Sequence, residues 1–403
     1  MGVLGASVPV RVPGIPVKDS DTRPLVMHVI HHLVIGGMEN GLVNLINNMP
    51  ASKYRHAVAC IEDYSAFRDR IVRPDVPVVA LHRSRIGVWN MRREIFRLCR
   101  RWRPTIVHSR NQSGLDALLP ARLAGVARCI HGEHGWDVDN LDGRKWKPAL
   151  LRRLHAPLVD RYITVSKDLE RFLVSRVGIR ASRITQIYNG VDTDRFSPAL
   201  DESTDWMPSE FRGTGLIRFG TVGRLQPVKD HATLLRAFSH LLTSRPDMVG
   251  RVRLLVIGDG PLLPDLRALA HSLTIDSSVW FTGALHDIPK VLRSLDVFVL
   301  PSLNEGISNT ILEGMAAGLP IVATAVGGNI ELVEDGDSGR LFSPGDTAGL
   351  SGILGQYVTD AQLRQAHSCA ARRIALERYS LTAMVERYEA VYDLVCRRRA
   401  PGL

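Results

Sequence analysis

Cysteine is scarce. Cys60, Cys99, Cys129, Cys369 and Cys396 are odd in number and far apart, which fits neither a disulfide framework nor a zinc site and suits reduced thiols in the cytoplasm. Long apolar runs are absent, so an integral membrane protein is excluded. Aromatic residues make up 6%, and no known nucleic-acid-binding module accompanies the basic clusters. Residues 1–23 lack the basic start, long apolar core and cleavage site of a signal peptide, and read as a disordered extension. Acidic residues are the minority charge, 41 against 51 Lys and Arg, giving +10 and a pI near 9.7. An acidic partner or surface is the natural complement.

The basic residues fall in two groups of the first half. Arg83, Arg85, Arg92, Arg93, Arg97, Arg100, Arg101 and Arg103 flank a short amphipathic stretch, and Arg144, Lys145, Lys147, Arg152 and Arg153 follow. They read either as solvated helix faces or as a surface for anionic lipid headgroups or a lipid diphosphate.

A chain of 403 residues with 45% hydrophobic and 23% charged content suits two soluble domains. Short β-branched runs alternate with helical patterns from Leu25 to Val165, and a second alternation starts at Leu216. Such alternation marks doubly wound parallel sheets, so the fold class is α/β with two Rossmann-like domains. We place the first at 24–196, a Pro/Ser/Asp/Gly-rich linker at 197–215, the second at 216–380 and a terminal helical segment at 381–403.

The second half carries the most informative stretch. After the apolar run 296–300 come Pro301-Ser302, Glu305-Gly306-Ile307, then Ser308-Asn309-Thr310 at the start of an Ala-rich helix closed by Gly318 and Pro320. A helix N-terminus at the carboxyl end of a parallel strand is an anion site. Glu305 and Glu313, about two helical turns apart at roughly 3.6 residues per turn, suit hydroxyls of a sugar and a ribose. Gly223-Arg224-Leu225 with Lys229 puts two cations on one loop. Gly258-Asp259-Gly260-Pro261 follows a strand, but Leu263 stands where a dinucleotide fingerprint needs its third glycine. In the first half, Gly36-Gly37 follows the first strand and His131-Gly132-Glu133-His134-Gly135-Trp136-Asp137 follows another. Asp-x-Asp occurs at Asp19, Asp137, Asp192 and Asp335, none in convincing context, and we expect no metal.

Together these motifs resemble the retaining glycosyltransferases of family 4, which have the GT-B fold: E-x7-E at Glu305 and Glu313, G-R-L-x-x-x-K-D at Gly223 to Asp230, N-G-V-D-x-x-x-F at Asn189 to Phe196, and H-G-x-D at His134. The first domain, through Gly36 to Asn47, Tyr54 to Val58, His108 to Asn111 and His131 to Gly135, is similar to the sugar transferases of bacterial exosortase and exopolysaccharide loci. The resemblance implies two domains facing each other across a cleft and a terminal helix crossing back to the first. It implies an N-terminal acceptor domain and a C-terminal nucleotide-sugar domain, with no cofactor beyond a nucleotide-diphosphate sugar, UDP-linked in preference to GDP-linked. The catalytic residues it implies are His134, with His131 as second choice, and Glu305. Donor contacts fall on Gly37, Arg224, Lys229, Gly306, Ile307, Asn309, Thr310 and Glu313, and base contacts on Gly258, Leu285 and His286. The acceptor is a saccharide, free or lipid-linked, at the inner membrane surface, and nucleic acid is no partner. A nucleotide-sugar epimerase and a non-catalytic nucleotide-sugar-binding scaffold are the alternatives.

Overall fold

The computed structural model describes residues 21–136, 145–198, 204–213 and 215–397. The chain divides into two compact units, one of residues up to Asn189 with those from Leu381 on, the other Gly190–Ser380. The first-unit boundary therefore falls ahead of Phe196, the end expected from sequence. Within the second unit the Val191 N–H donates to the Tyr379 carbonyl at 2.8 Å, which draws the 190–196 segment into it.

In the first unit the strands are β1 (Leu25–Ile30), β2 (Arg55–Cys60), β3 (Val78–Ala80), β4 (Ile106–Arg110), β5 (Arg128–Glu133), β6 (Arg161–Thr164) and β7 (Ile184–Gln186). They form one parallel sheet in the order β3-β2-β1-β4-β5-β6-β7. Helices α1 (Gly37–Asn48), α2 (Arg83–Trp102), α3 (Asn111–Gly114), α4 (Leu118–Leu123), α5 (Trp146–His155) and α6 (Lys167–Phe172) make the crossovers. Side chains alternate across a strand, so Leu25, Met27 and Val29 enter one core with Met91, Ile95, Leu98, Leu118 and Ala121, while Val26 enters another with Tyr388, Tyr392 and Val395. Both faces are covered, which is why β1 is apolar at nearly every position. Helix α2 starts earlier than its apolar spacing suggests and is interrupted at Gly87, whose φ of 78° is outside the helical range.

Residues 1–20 of the expected arm lie outside the described residues. Asp21 and Arg23 are held in place: Arg23 donates to Asp21, and the Arg55 Nε donates to the Arg23 carbonyl at 3.2 Å.

The second unit has β8 (Ile217–Val222), β9 (Val252–Ile257), β10 (Val279–Gly283), β11 (Val297–Leu300), β12 (Ile321–Thr324) and β13 (Gly339–Phe342), parallel in the order β10-β9-β8-β11-β12-β13. Its helices are α7 (His231–Ser244), α8 (Leu263–Ser272), α9 (Ile288–Arg293), α10 (Asn309–Ala316), α11 (Asn329–Leu332), α12 (Thr347–Thr359) and α13 (Ala361–Arg378). The last helix, α14 (Leu381–Arg397), packs in the first unit against Val26, Ile106 and Ile130. In each sheet the winding reverses once, between β1 and β4 and between β8 and β11. Loops leaving adjacent strands diverge there and open a crevice at the carboxyl edge.

Candidate active site

In the second unit, four strand-end loops are laced together at that edge. The Leu225 N–H donates to the Asp259 carbonyl at 2.9 Å, joining the loops after β8 and β9. The Leu303 N–H donates to the Val228 carbonyl at 2.8 Å, and the Gly328 N–H to the Glu305 carbonyl at 3.2 Å, joining those after β8, β11 and β12. Glycine permits this closeness. A Cβ on Gly258, at φ +135°, would lie 2.0 Å from the Gly223 carbonyl oxygen, and one on Gly327, at φ +45°, would lie 1.9 Å from that of Glu305.

Lys229 ends a short 3₁₀ turn, Pro227–Lys229, and reaches across to Glu305, with Nζ 2.5 Å from Oε1. The Ser302 hydroxyl donates to the same Glu305 oxygen at 2.7 Å. Both charged side chains keep some exposure, 23% for Lys229 and 11% for Glu305, so the pair lies at the rim of the edge. Arg224, on the same loop, is exposed. Helix α10 begins directly after this turn. Ser308 is its N-cap, its Oγ accepting the Ile311 N–H at 3.3 Å, and Asn309 and Thr310 are the first helical residues. The half-buried Glu313 sits one turn in. The spacing of Glu305 and Glu313 is thus a turn plus about one helical turn rather than two turns of helix, because the chain becomes helical only at Asn309.

Gly306 is half-buried and Ile307 buried beneath the turn, with the Gly306 carbonyl against Gly328. Gly258 is at the end of β9, its N–H donating to the Gly283 carbonyl at 3.0 Å, which places Leu285 and the exposed His286 on the neighbouring loop. A groove of about 480 Å³ lined by Pro198, Gly318, Ser368 and Arg372 lies instead beside the C-terminal end of α10. Arg372 caps the end of the helix there, its Nη1 donating to the Ala316 carbonyl.

In the first unit Gly37 is exposed at the first position of α1. Strand β5 runs through Glu133, so His131 is a strand residue and only His134 stands in the loop. His131 is fully buried, with Nδ1 2.8 Å from Ser109 Oγ and Nε2 3.2 Å from Glu133 Oε1. Both ring nitrogens are thereby occupied, which leaves the second-choice histidine none for a ligand. Arg152 donates to both Glu133 oxygens, from Nε at 2.6 Å and Nη2 at 3.0 Å. Burial alone would raise the Glu133 pKa, but the Arg152 charge and the bonds from His131 and Arg152 bring it down to about 2. The His-Glu-His run is therefore a packed ion pair.

His134 is anchored through its backbone, its N–H donating to Asn111 Oδ1 at 2.7 Å. Its ring folds back over Gly132, where a Cβ would come 2.6 Å from His134 Nε2 and 3.2 Å from His108 Nε2. Burial, reinforced by the nearby Arg110 charge, holds the His134 pKa well below the ordinary histidine value, so the imidazole is neutral. Beneath it lies a buried basic cluster. Arg110 Nη1 is 3.0 Å from His28 Nδ1, His28 Nε2 is 3.0 Å from His56 Nδ1, and His108 Nδ1 is 2.9 Å from the Tyr392 hydroxyl.

Asn111, Ser302, Thr324 and Gly327-Gly328 are site residues that sequence reasoning missed. Thr324 Oγ donates to the Ser302 carbonyl at 2.5 Å and so ties β12 to the Glu305 turn. The signal for the last pair was a Gly-Gly directly after an apolar strand, the pattern already read at Gly36-Gly37. Of the Asp-x-Asp sites, Asp19 and Asp137–Asp139 are outside the described residues. Asp192 accepts the Asp194 and Arg195 N–H groups, and Asp335 that of Leu341.

Comparison with known proteins decides the family. Residues 35–195 match the model described as Glycosyltransferase Family 4, and residues 217–360 match Glycosyl transferases group 1. The chain belongs to the family 4 glycosyltransferases. It is an enzyme of GT-B fold, and this membership sets aside the epimerase alternative. Among curated relatives of this glycosyltransferase, the UDP-Gal:alpha-D-GlcNAc-diphosphoundecaprenol alpha-1,3-galactosyltransferase of Escherichia coli is 25% identical over 94% of this chain and 100% of its own. The putative glycosyltransferase EpsF of Bacillus subtilis is 29% identical over 75% and 79%. Among solved structures, Anabaena HepE in complex with UDP and glucose superposes with a TM-score of 0.77, at 19% identity over 91% of this glycosyltransferase and 99% of HepE.

Proposed function

We propose that this glycosyltransferase moves a sugar, with retention and without a metal, from a UDP-sugar to a lipid-linked saccharide. It would do so as a peripheral protein on the cytoplasmic face of the inner membrane, in exopolysaccharide or cell-envelope glycan synthesis. The observation that carries the reading is the Lys229–Glu305 pair at the mouth of the α10 N-terminus. A cation, a carboxylate and a helix N-terminus at one sheet edge match, in turn, the diphosphate, the sugar hydroxyls and the charge that develops on the leaving group. The names of the Escherichia coli and Bacillus relatives and the UDP and glucose bound to HepE support donor and acceptor class.

In this reading Arg224 and Lys229 neutralise the diphosphate, and Glu305 exchanges Lys229 for sugar hydroxyls. Glu313 holds the ribose, Gly258, Leu285 and His286 flank the base, and Gly37, Gly306, Ile307, Asn309 and Thr310 line the phosphates and sugar. The bond from the anomeric carbon to the phosphate oxygen breaks while the acceptor oxygen bonds on the same face. The acceptor proton passes to the departing phosphate, so no protein nucleophile is needed. A neutral His134 orients the sugar without adding positive charge at the anomeric carbon.

The test is binding and slow hydrolysis of a panel of nucleotide sugars in EDTA, comparing the native enzyme with Lys229→Ala and Glu313→Ala. Selective binding of one UDP-sugar, with sugar release that survives EDTA and disappears in both variants, is the expected outcome. A strict divalent-metal requirement, or no binding at all, would overturn the assignment.

A further inference from the structure

Three helices cover one face of the first sheet and share one buried core: α2 through Met91, Ile95 and Leu98, α4 through Leu118 and Ala121, and α5 through Ala149 and Leu151. Their outward faces mix exposed apolar side chains with basic ones. On α2, Trp89 is 80% exposed and Phe96, two turns on, 36%. On α4, Leu123 is 69% exposed, and on α5 Trp146, Leu150 and Leu154 recur at intervals of four with Trp146 and Leu154 each 67% exposed. Such spacing places each set on a single side of its helix. Basic residues stand between them. Helix α2 carries seven arginines against one glutamate, and α5 adds the exposed Lys147 and Arg153 with no acid at all. Arg92 lies over the Trp89 ring at 5.3 Å and Lys147 over that of Trp146 at 5.9 Å.

We infer that this face is a docking surface for an anionic lipid bilayer, with the two tryptophans and the leucines entering the headgroup boundary and the arginines pairing with lipid phosphates. Tryptophan in combination with arginine is the composition of interfacial helices. Charge selects the occupant: a second copy of the chain would set two arginine-rich faces against each other, whereas an acidic headgroup layer neutralises them. The inference deepens the membrane reading above from a general attraction of charge to a defined apolar contact, and membrane binding is measurable without turnover.

The test is flotation of the full chain with phosphatidylcholine vesicles, with and without phosphatidylglycerol. Emission from Trp89 and Trp146 is recorded, and two double variants are compared, Trp89→Ser/Trp146→Ser and Arg93→Glu/Arg100→Glu. The native protein is expected to float only with the anionic vesicles, with blue-shifted emission and part of the binding surviving high salt. Each double variant is expected to bind about tenfold more weakly, with donor hydrolysis unchanged. Failure to float, binding by both variants equal to the native protein, or a native dimer that the variants convert to monomer by light scattering would overturn it. Loss of donor hydrolysis in the native enzyme, with flotation intact, would count against the transferase reading alone.

Discussion

Lys229 and Glu305 are 76 positions apart in the chain, yet the ammonium of one rests on the carboxylate of the other, and Ser302 donates to the same oxygen. Residues assigned from sequence to different parts of the donor are each other's partners. On the proposed reading a donor separates them, its diphosphate replacing Glu305 beside Lys229.

Lys229→Ala is accordingly expected to lower kcat/KM by roughly a hundredfold or more, because a cation facing developing charge is lost. Stability should move by only about 1 kcal/mol, since the pair is partly exposed. Glu305→Gln keeps the Ser302 contact and should bind UDP almost as well as the native enzyme while losing turnover. Calorimetry with UDP beside steady-state kinetics separates the two; weak UDP binding by Glu305→Gln would contradict the division of roles.

Asn111 holds φ at +53°, a left-handed conformation that asparagine tolerates, while its side chain fixes the His134 backbone. Asn111→Gly removes the anchor but relieves the backbone, so we expect a lower kcat with an unchanged or slightly higher Tm. Asn111→Asp retains an acceptor and should recover most of the activity. If glycine leaves kcat intact, the His134 position does not depend on this bond.

Acid should destabilise the first unit. Burial holds His28, His108 and His134 well below the ordinary histidine pKa, with nearby Arg110 adding to the effect, and burial takes His56 to about 3. In the unfolded chain these histidines regain a pKa of about 6.5. Below that value the unfolded state takes up protons that the folded state refuses, so stability is present above about pH 6.5 and falls as pH drops. Denaturation midpoints at pH 7.5 and pH 5.5 should differ by several protons' worth of slope, and a flat profile would refute the neutral cluster.

The Glu133–Arg152 pair is almost wholly buried. Arg152→Met strands a carboxylate and should cost about 3–5 kcal/mol in urea unfolding, whereas adding Glu133→Gln should recover a large part. Equal losses in the single and double variants would mean that Arg152 acts through packing over Phe172, 5.6 Å away.

Much of this was legible in the sequence, for physical reasons. Strands buried on both faces, such as β1 and β11, are continuous apolar runs, and Ser308 caps α10 where a hydroxyl before an apolar periodic stretch belongs. Short strands at the sheet edges were not legible: β7 and β13 have three and four residues, and half of Gly339-Arg340-Leu341-Phe342 carries no apolar signal. His131 looked like a loop histidine because its run ends in Gly-Glu-His, yet Arg152, nineteen positions beyond Glu133, makes burial of the acid affordable and extends the strand. Asn111 was seen only as part of a motif, since a side chain that works through another residue's backbone leaves no spacing to detect.

The backbone contacts of Gly258 and Gly327 carry a consequence for inheritance of the fold. Neither has a side chain to lose, yet every one of the nineteen replacements would drive a carbon into a carbonyl oxygen of another loop. In a saturation scan these two positions should stand out as intolerant columns with no gradation by size, charge or polarity. That pattern would report the meeting of distant loops more directly than any substitution of the charged residues around them.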